Sequence, residues 1–241
     1  MAITIWPGKS IEFLQSLTLF SSLSAGECGY IVSAASDKRF ARRQPIFHAG
    51  DPIQQVVMLL SGCVKITQLG FSGDEVILRL CGPGDIVAGF RRLGANWSHS
   101  STAQTTQPSI ALVWQSVTFE NLLERFPALR RNTYLALEER LLELEERFRE
   151  VSTERVGSRL SSELIRLWNR LGGASGNSEI RVSRSELAQL TGTTLFTVSR
   201  LLARWQTLGI VSSRREGVQV NDLAALVQFS QSERPVTELA L

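Results

Sequence analysis

From Ala128 to Val151 the chain carries neither Gly nor Pro, and its apolar residues Tyr134, Leu137, Leu141, Leu144, Phe148 and Val151 recur at alternating intervals of three and four. A strand cannot use that spacing, because its side chains alternate between two faces, whereas a helix gathers all six onto one seam. The seam is narrower than the stripe a helix turns to a globular core, and Glu and Arg flank it as they flank a coiled coil. One unbroken helix over residues 127–152 is therefore predicted, with the same helix of a second subunit as its partner. Such a rod divides the chain, so the segments before and after it are expected to fold separately.

Before the rod, from Asp37 to Val117, short apolar runs alternate with turn residues: Val56–Leu60 ahead of Ser61-Gly62, Cys63–Thr67, Val76–Leu80 ahead of Gly82-Pro83-Gly84-Asp85, and Ile110–Trp114. Gly70, Gly73 and Asp74 mark a hairpin connection between two of them. Strands this short and this regularly spaced predict a β-sandwich or β-roll. Ile11–Leu19 and Ala25–Ala35 read as short helices in front of it. The resulting division is an N-terminal segment 1–18, a β-rich unit 19–126, the rod 127–152, a helical unit 153–229 and a polar, disordered tail 230–241, an α+β chain as a whole.

A length of 241 residues, 43% of them hydrophobic and 20% charged, is enough to bury two cores. No apolar run approaches the roughly 20 residues that span a bilayer, and the first residues lack the pattern of a signal peptide, so a cytoplasmic protein with no membrane partner is expected. Cys28, Cys63 and Cys81 are odd in number and widely spaced, which argues against a disulfide framework, a zinc site or an iron–sulfur cluster. Catalytic signatures are missing as well: no phosphate-binding Gly loop, no G-x-S-x-G elbow, no H-E-x-x-H, and only two histidines. Pairing Cys28 with His48 as nucleophile and base has no support from their spacing, and no enzyme is expected.

Net charge is +3, yet Glu154 to Glu216 holds ten Arg against five Glu, a local balance of +5. Within that basic stretch Ser183, with Glu186 three residues on, forms a capping box for a helix from Arg184 to Leu190. Gly192 suits the turn that follows, and Thr193 or Thr194 can cap a second helix running to about Leu208. Val198, Leu201, Leu202, Trp205 and Leu208 make its apolar stripe, while Phe196, Ser199, Arg200, Ala203 and Thr207 share another face. After Gly209, Ile210–Val211 and Val218–Val220 flank the basic turn Arg214-Arg215, the pattern of a wing. A helix, a Gly turn and a second helix with one free face make a helix-turn-helix, whose second helix enters the major groove. By pattern alone, an ordinary helical hairpin followed by a β-hairpin stays open.

Ser183-Arg184-x-Glu186-Leu187-Ala188, Gly192-Thr193-Thr194, Thr197-Val198-Ser199-Arg200-Leu201-Leu202 and Leu208-Gly209-Ile210 resemble the DNA-binding module of the cAMP receptor protein / fumarate-nitrate regulator (CRP/FNR) family. Ser61-Gly62-Cys63-Val64-Lys65-Ile66 and Gly82-Pro83-Gly84-Asp85-Ile86 resemble turns of that family's cyclic-nucleotide-binding β-roll, and the heptad helix lies where its dimer helix does. The resemblance spans about Leu19 to Phe229. It implies a cyclic-nucleotide-binding-like roll, a dimerisation helix and a winged helix-turn-helix, acting as a homodimeric transcription regulator of duplex DNA. Activation and contact with RNA polymerase are further implications of the family. The competing reading is a ligand-binding regulatory subunit that acts on a protein partner.

Arg200 can bond O6 and N7 of a guanine together, the role the resemblance also implies, and Ser199 beside it can reach a base or a phosphate. Arg184, Thr194 and Thr197 match family positions that hold the DNA backbone; Arg204, Arg214 and Arg215 are further phosphate candidates. Phe196 departs from the family, which commonly has Glu there to accept a bond from cytosine. Phenylalanine cannot accept it but can pack on a thymine methyl, so a different half-site is expected.

The effector pocket departs too. Cyclic-AMP-binding relatives carry a Gly-Glu-Leu step and, further on, an Arg-Ser pair that hold ribose and phosphate; here the matching positions read Ala88-Gly89-Phe90 and His99-Ser100. A phosphate buried without its arginine costs several kcal/mol, and Arg91 and Arg92 lie at the wrong spacing to replace it. No response to cAMP is expected. Haem needs only one axial histidine, so His48 and His99 leave it open, and the effector is not named by the sequence.

Overall fold

The computed structural model describes residues 11–71, 73–88, 97–172, 179–214 and 216–231. In chain order its elements are α1 (Ile11–Gln15), a 3₁₀ turn (Thr18–Phe20), α2 (Ala25–Ser33), β1 (Ser36–Phe40), β2 (Pro45–Phe47), β3 (Gln55–Ser61), β4 (Val64–Leu69), β5 (Glu75–Cys81), β6 (Ile86–Ala88), β7 (Thr102–Thr105) and β8 (Ser109–Gln115). Then come α3 (Ser116–Arg125), α4 (Pro127–Thr153), α5 (Val156–Leu167), a π-helical turn (Trp168–Gly172), β9 (Glu179–Ile180), α6 (Arg184–Thr191), α7 (Leu195–Thr207), β10 (Val211–Arg214), β11 (Gly217–Val220) and α8 (Leu223–Gln231). The expected α+β class and β-roll are present. Contacts separate the chain into two units, residues 1–66 with 81–144, and residues 67–80 with 145–241.

The strands before α3 form two four-stranded sheets, ordered β1-β8-β3-β6 and β2-β7-β4-β5. β3 explains the apolar run read from the sequence: Val56 to Leu60 are all buried, because both faces of its sheet are covered. The even-numbered Val56, Met58 and Leu60, with Leu112 and Trp114 of β8, join Phe20, Ile31, Phe119, Leu122 and Leu129 in one core with the flanking helices. The odd-numbered Val57, Leu59, Ala111 and Val113 are buried on the opposite face. Trp114 is fully enclosed and donates its indole N–H to the Ile31 carbonyl at 2.9 Å. Gly62 has φ of 94°, and a Cβ there would lie 2.6 Å from the Pro108 carbonyl oxygen, so the turn after β3 admits no side chain. Asn132 of α4 donates to the carbonyls of Leu19 and Ser21 at 3.0 and 2.7 Å.

The second unit holds the last turns of α4 beside α5 through four largely buried charges. Arg166 forks onto Glu150 with two bonds of 2.7 Å and reaches Glu163 at 3.1 Å, while Arg147 pairs with the other oxygen of Glu163 at 2.8 Å. Arg147 also donates to the Leu78 carbonyl and Arg170 to that of Leu80 at 3.2 Å, which ties the end of β5 into the same cluster. Between α5 and α8 the apolar core continues through Leu160, Leu164, Leu167, Leu187, Val198, Leu202, Trp205 and Leu226. α5 passes at Leu167 directly into the π-helical turn, so helical structure runs on to Gly172. Ser230 and Gln231, placed in the tail by sequence, complete α8; residues 232–241 lie outside the described residues.

Candidate nucleic-acid interface

Local chemistry sets the ends of the two helices. Ser183 accepts from the Glu186 N–H and the Glu186 carboxylate accepts from the Ser183 N–H at 2.8 Å, the reciprocal cap expected. Gly192 ends α6 with φ of 60°, the left-handed conformation that glycine takes without a Cβ penalty. Thr194, of the two threonines, caps α7: its hydroxyl accepts from the Thr197 N–H at 3.2 Å and lies 3.0 Å from the Thr197 hydroxyl.

Around α7, burial follows the helical period. Val198, Leu202 and Trp205 are fully buried, Leu201 is partly so, and Leu208 at the C-cap is exposed, so the stripe ends one turn earlier than its pattern. On the other side Phe196, Arg200, Ala203 and Thr207, spaced four, three and four apart, are all exposed, with Ser199 half-buried beside them. The Arg200 side chain makes no hydrogen bond or ion pair with the described residues. Phe196 is 75% exposed. Arg204 is half-buried and already engaged.

The wing has three strands, ordered β10-β11-β9. β9 escaped the sequence reading because it is two residues long; its signal was the apolar pair Ile180 and Val182, both buried, just ahead of the cap. Two further contacts brace the wing. Gln206 of α7 accepts the Ser213 N–H at 3.1 Å, and Arg184 at the start of α6 donates to the Ser213 hydroxyl at 3.2 Å. Gln206 carried no motif and was missed. Arg214 is exposed and pairs loosely with Glu179 at 3.5 Å; Arg215 lies outside the described residues. Arg184, Thr194, Arg200, Arg204 and Arg214 thus belong to one module of α6, α7 and wing.

On α4, Tyr134, Leu141, Leu144, Phe148 and Val151 are each 55–75% exposed, and Leu137 is half-buried. The residues α4 buries against its own chain are instead Leu129, Asn132, Thr133 and Glu150. The heptad seam is therefore left exposed, as are Leu135 and Leu142 beside it.

Of the effector-pocket residues, Gly89, Phe90, Arg91 and Arg92 lie outside the described residues. His99 is half-buried with its ring stacked on Phe47, centroids 3.6 Å apart, and its backbone bonds Asp51 and Gly50; Ser100 is exposed. The three cysteines are buried and none forms a disulfide, and burial pushes the Cys28 thiol up. Among the described residues no group of three or more His, Cys, Asp or Glu could hold a metal, and no helix is long and apolar enough to cross a membrane.

Comparison with known proteins agrees with this geometry. Residues 37–126 match the cyclic nucleotide-binding domain family and residues 158–229 the Crp-like helix-turn-helix domain family. The chain is 28% identical over 196 residues to the anaerobic regulatory protein of Pasteurella multocida, covering 80% of this chain and 71% of that one. It is 25% identical over 202 residues to the fumarate and nitrate reduction regulatory protein of Escherichia coli, 83% of this chain and 80% of that one. Among solved structures, FixK2 from Bradyrhizobium japonicum shares the fold with a TM-score of 0.72 at 20% identity, over 83% of this chain and 99% of that one.

Proposed function

Because the chain belongs to the CRP/FNR family of DNA-binding transcription regulators, we propose that it works as a homodimer which reads two DNA half-sites through α7, activates transcription in the cytoplasm with RNA polymerase as protein partner, and does not respond to cAMP. The observation that carries the DNA reading is the sorting of α7: an apolar side sealed by Val198, Leu202 and Trp205, and an opposite side on which Arg200 stands free. In this reading Arg200 bonds a guanine and Ser199 assists. Arg184, Thr194, Thr197, Arg204, Arg214 and Arg215 meet phosphates, fixing register without reading sequence. Arg184 and Arg214 exchange their weak protein partners for phosphate oxygens, which are stronger acceptors.

Dimerisation rests on the uncovered seam. Five large apolar side chains in a row on one helix face are poorly placed in water, and the same seam of a second copy covers them. Residues 19–126 act as the sensor domain, 127–152 as the dimerisation helix and 153–229 as the DNA-binding domain. A ligand that binds one dimer arrangement more tightly would bias the reading heads by its differential affinity.

Leu144→Glu tests the assembly. The expected outcome is a monomer by light scattering with operator affinity lost; unchanged mass together with unchanged affinity would overturn the seam assignment. For the sensor, calorimetry at physiological salt is expected to show no micromolar binding of cAMP, since the sequence offers neither the ribose Glu nor the phosphate Arg.

A further inference from the structure

We propose that Phe196 is a methyl reader: its ring packs on the C5-methyl of a pyrimidine in the major groove, so that the half-site carries thymine, or equally 5-methylcytosine, within two base pairs of the guanine engaged by Arg200. The proposal rests on the DNA-binding reading above and specifies what that site recognises. The core of the module is complete without Phe196, since Val198, Leu202 and Trp205 fill it from the opposite side of α7. An aromatic ring 75% exposed on the first turn of that helix gains only when a partner covers it.

What can cover it follows from where it stands. Phe196 lies one turn before Arg200 on the same exposed face, continued by Ala203 and Thr207. Of the groups that bases present in the major groove, donors and acceptors are useless to a phenyl ring, and the apolar one is the C5-methyl of thymine. Four residues of helix rise about 6 Å, so the methyl is expected about one to two base pairs from the Arg200 guanine. Leu195, 52% exposed at the preceding position, widens the apolar surface on one flank. Cytosine lacks the methyl but acquires the same group at the same atom when methylated at C5. The site therefore distinguishes methylated from unmethylated cytosine, which makes regulator binding sensitive to DNA methylation at this step.

The experiment starts from an operator selected out of random duplexes by the full-length protein. At each of the first two positions beside the Arg200-dependent guanine, four versions are compared: thymine, uracil, cytosine and 5-methylcytosine. Uracil removes the methyl and changes nothing else on that edge. Loss of one buried carbon corresponds to about fourfold in affinity, expected both for thymine over uracil and for 5-methylcytosine over cytosine. In Phe196→Ala both ratios fall to unity while the guanine preference persists, and Phe196→Leu keeps part of them. Equal binding of thymine and uracil duplexes by the wild type, with Arg200-dependent recognition intact, overturns the methyl reader alone. Failure to select any sequence, with no salt-dependent duplex binding, overturns the DNA-binding reading and this proposal with it.

Discussion

Val198 and Arg200 stand two residues apart on α7 and meet opposite surroundings, one sealed in the core and the other in solvent. Each residue turns the helix by about 100°, so a two-residue step crosses to the far side. Arg200 holds its charge in the open, ready for a partner that the described residues do not supply. Arg200→Lys keeps the charge and removes the planar fork that grips O6 and N7 together. The expected result is a loss of about 1–3 kcal/mol in the preference for operator over random duplex, with random-duplex binding retained, as measured by competition titration. An unchanged preference would show that Arg200 meets phosphate instead. The sequence was informative here wherever a residue serves its immediate neighbours, and Ser183, Glu186, Gly192 and Thr194 all sit where their capping chemistry puts them. It was silent on Gln206, whose bond to the wing depends on a backbone N–H seven residues on.

Among the elements, α4 turns its polar residues inward at its C-terminal end. Glu150 is buried there while Phe148 and Val151 are exposed, the reverse of an ordinary surface helix. The four-charge cluster explains this, because Arg147, Glu150, Glu163 and Arg166 alternate in sign and neutralise one another. Arg166 is held firmly in its charged form by Glu150 and Glu163 despite burial. Removing one member leaves the others in low dielectric without a counter-charge, so Glu163→Gln is expected to lower unfolding stability by about 3 kcal/mol in urea titration with helix content preserved. A loss below about 1 kcal/mol would mean that water replaces the missing charge. The exposed Arg149–Glu146 pair on the same helix, about half in solvent on both sides, contributes little by contrast. The rod was legible by its local period, and β3 and β8 as apolar runs set off by turn residues. β9 and the early end of the α7 stripe were not, since both depend on which strand or helix lies alongside.

For the molecule as a whole, charge is the property that matters most in the proposed role. The excess of +5 between Glu154 and Glu216 outweighs the slightly acidic remainder and coincides with α5, α6, α7 and the wing. Binding to random duplex DNA should therefore weaken steeply with salt, with a log–log slope of about −4 or steeper, given about −0.9 for each phosphate engaged. Fluorescence anisotropy across a salt series checks this, and a slope near zero would leave the basic face without a phosphate partner. The order of parts, the helical rod with its seam, and the capped pair of helices with an arginine-bearing face were all written in the chain. They follow from periodicity and from capping between residues within a turn of one another, interactions that act before the chain folds. Folding added the rest: four largely buried charges hold the end of α4 to α5, and a third strand completes the wing. Each of these depends on segments far apart in sequence meeting in space, and no local pattern records which of them will meet.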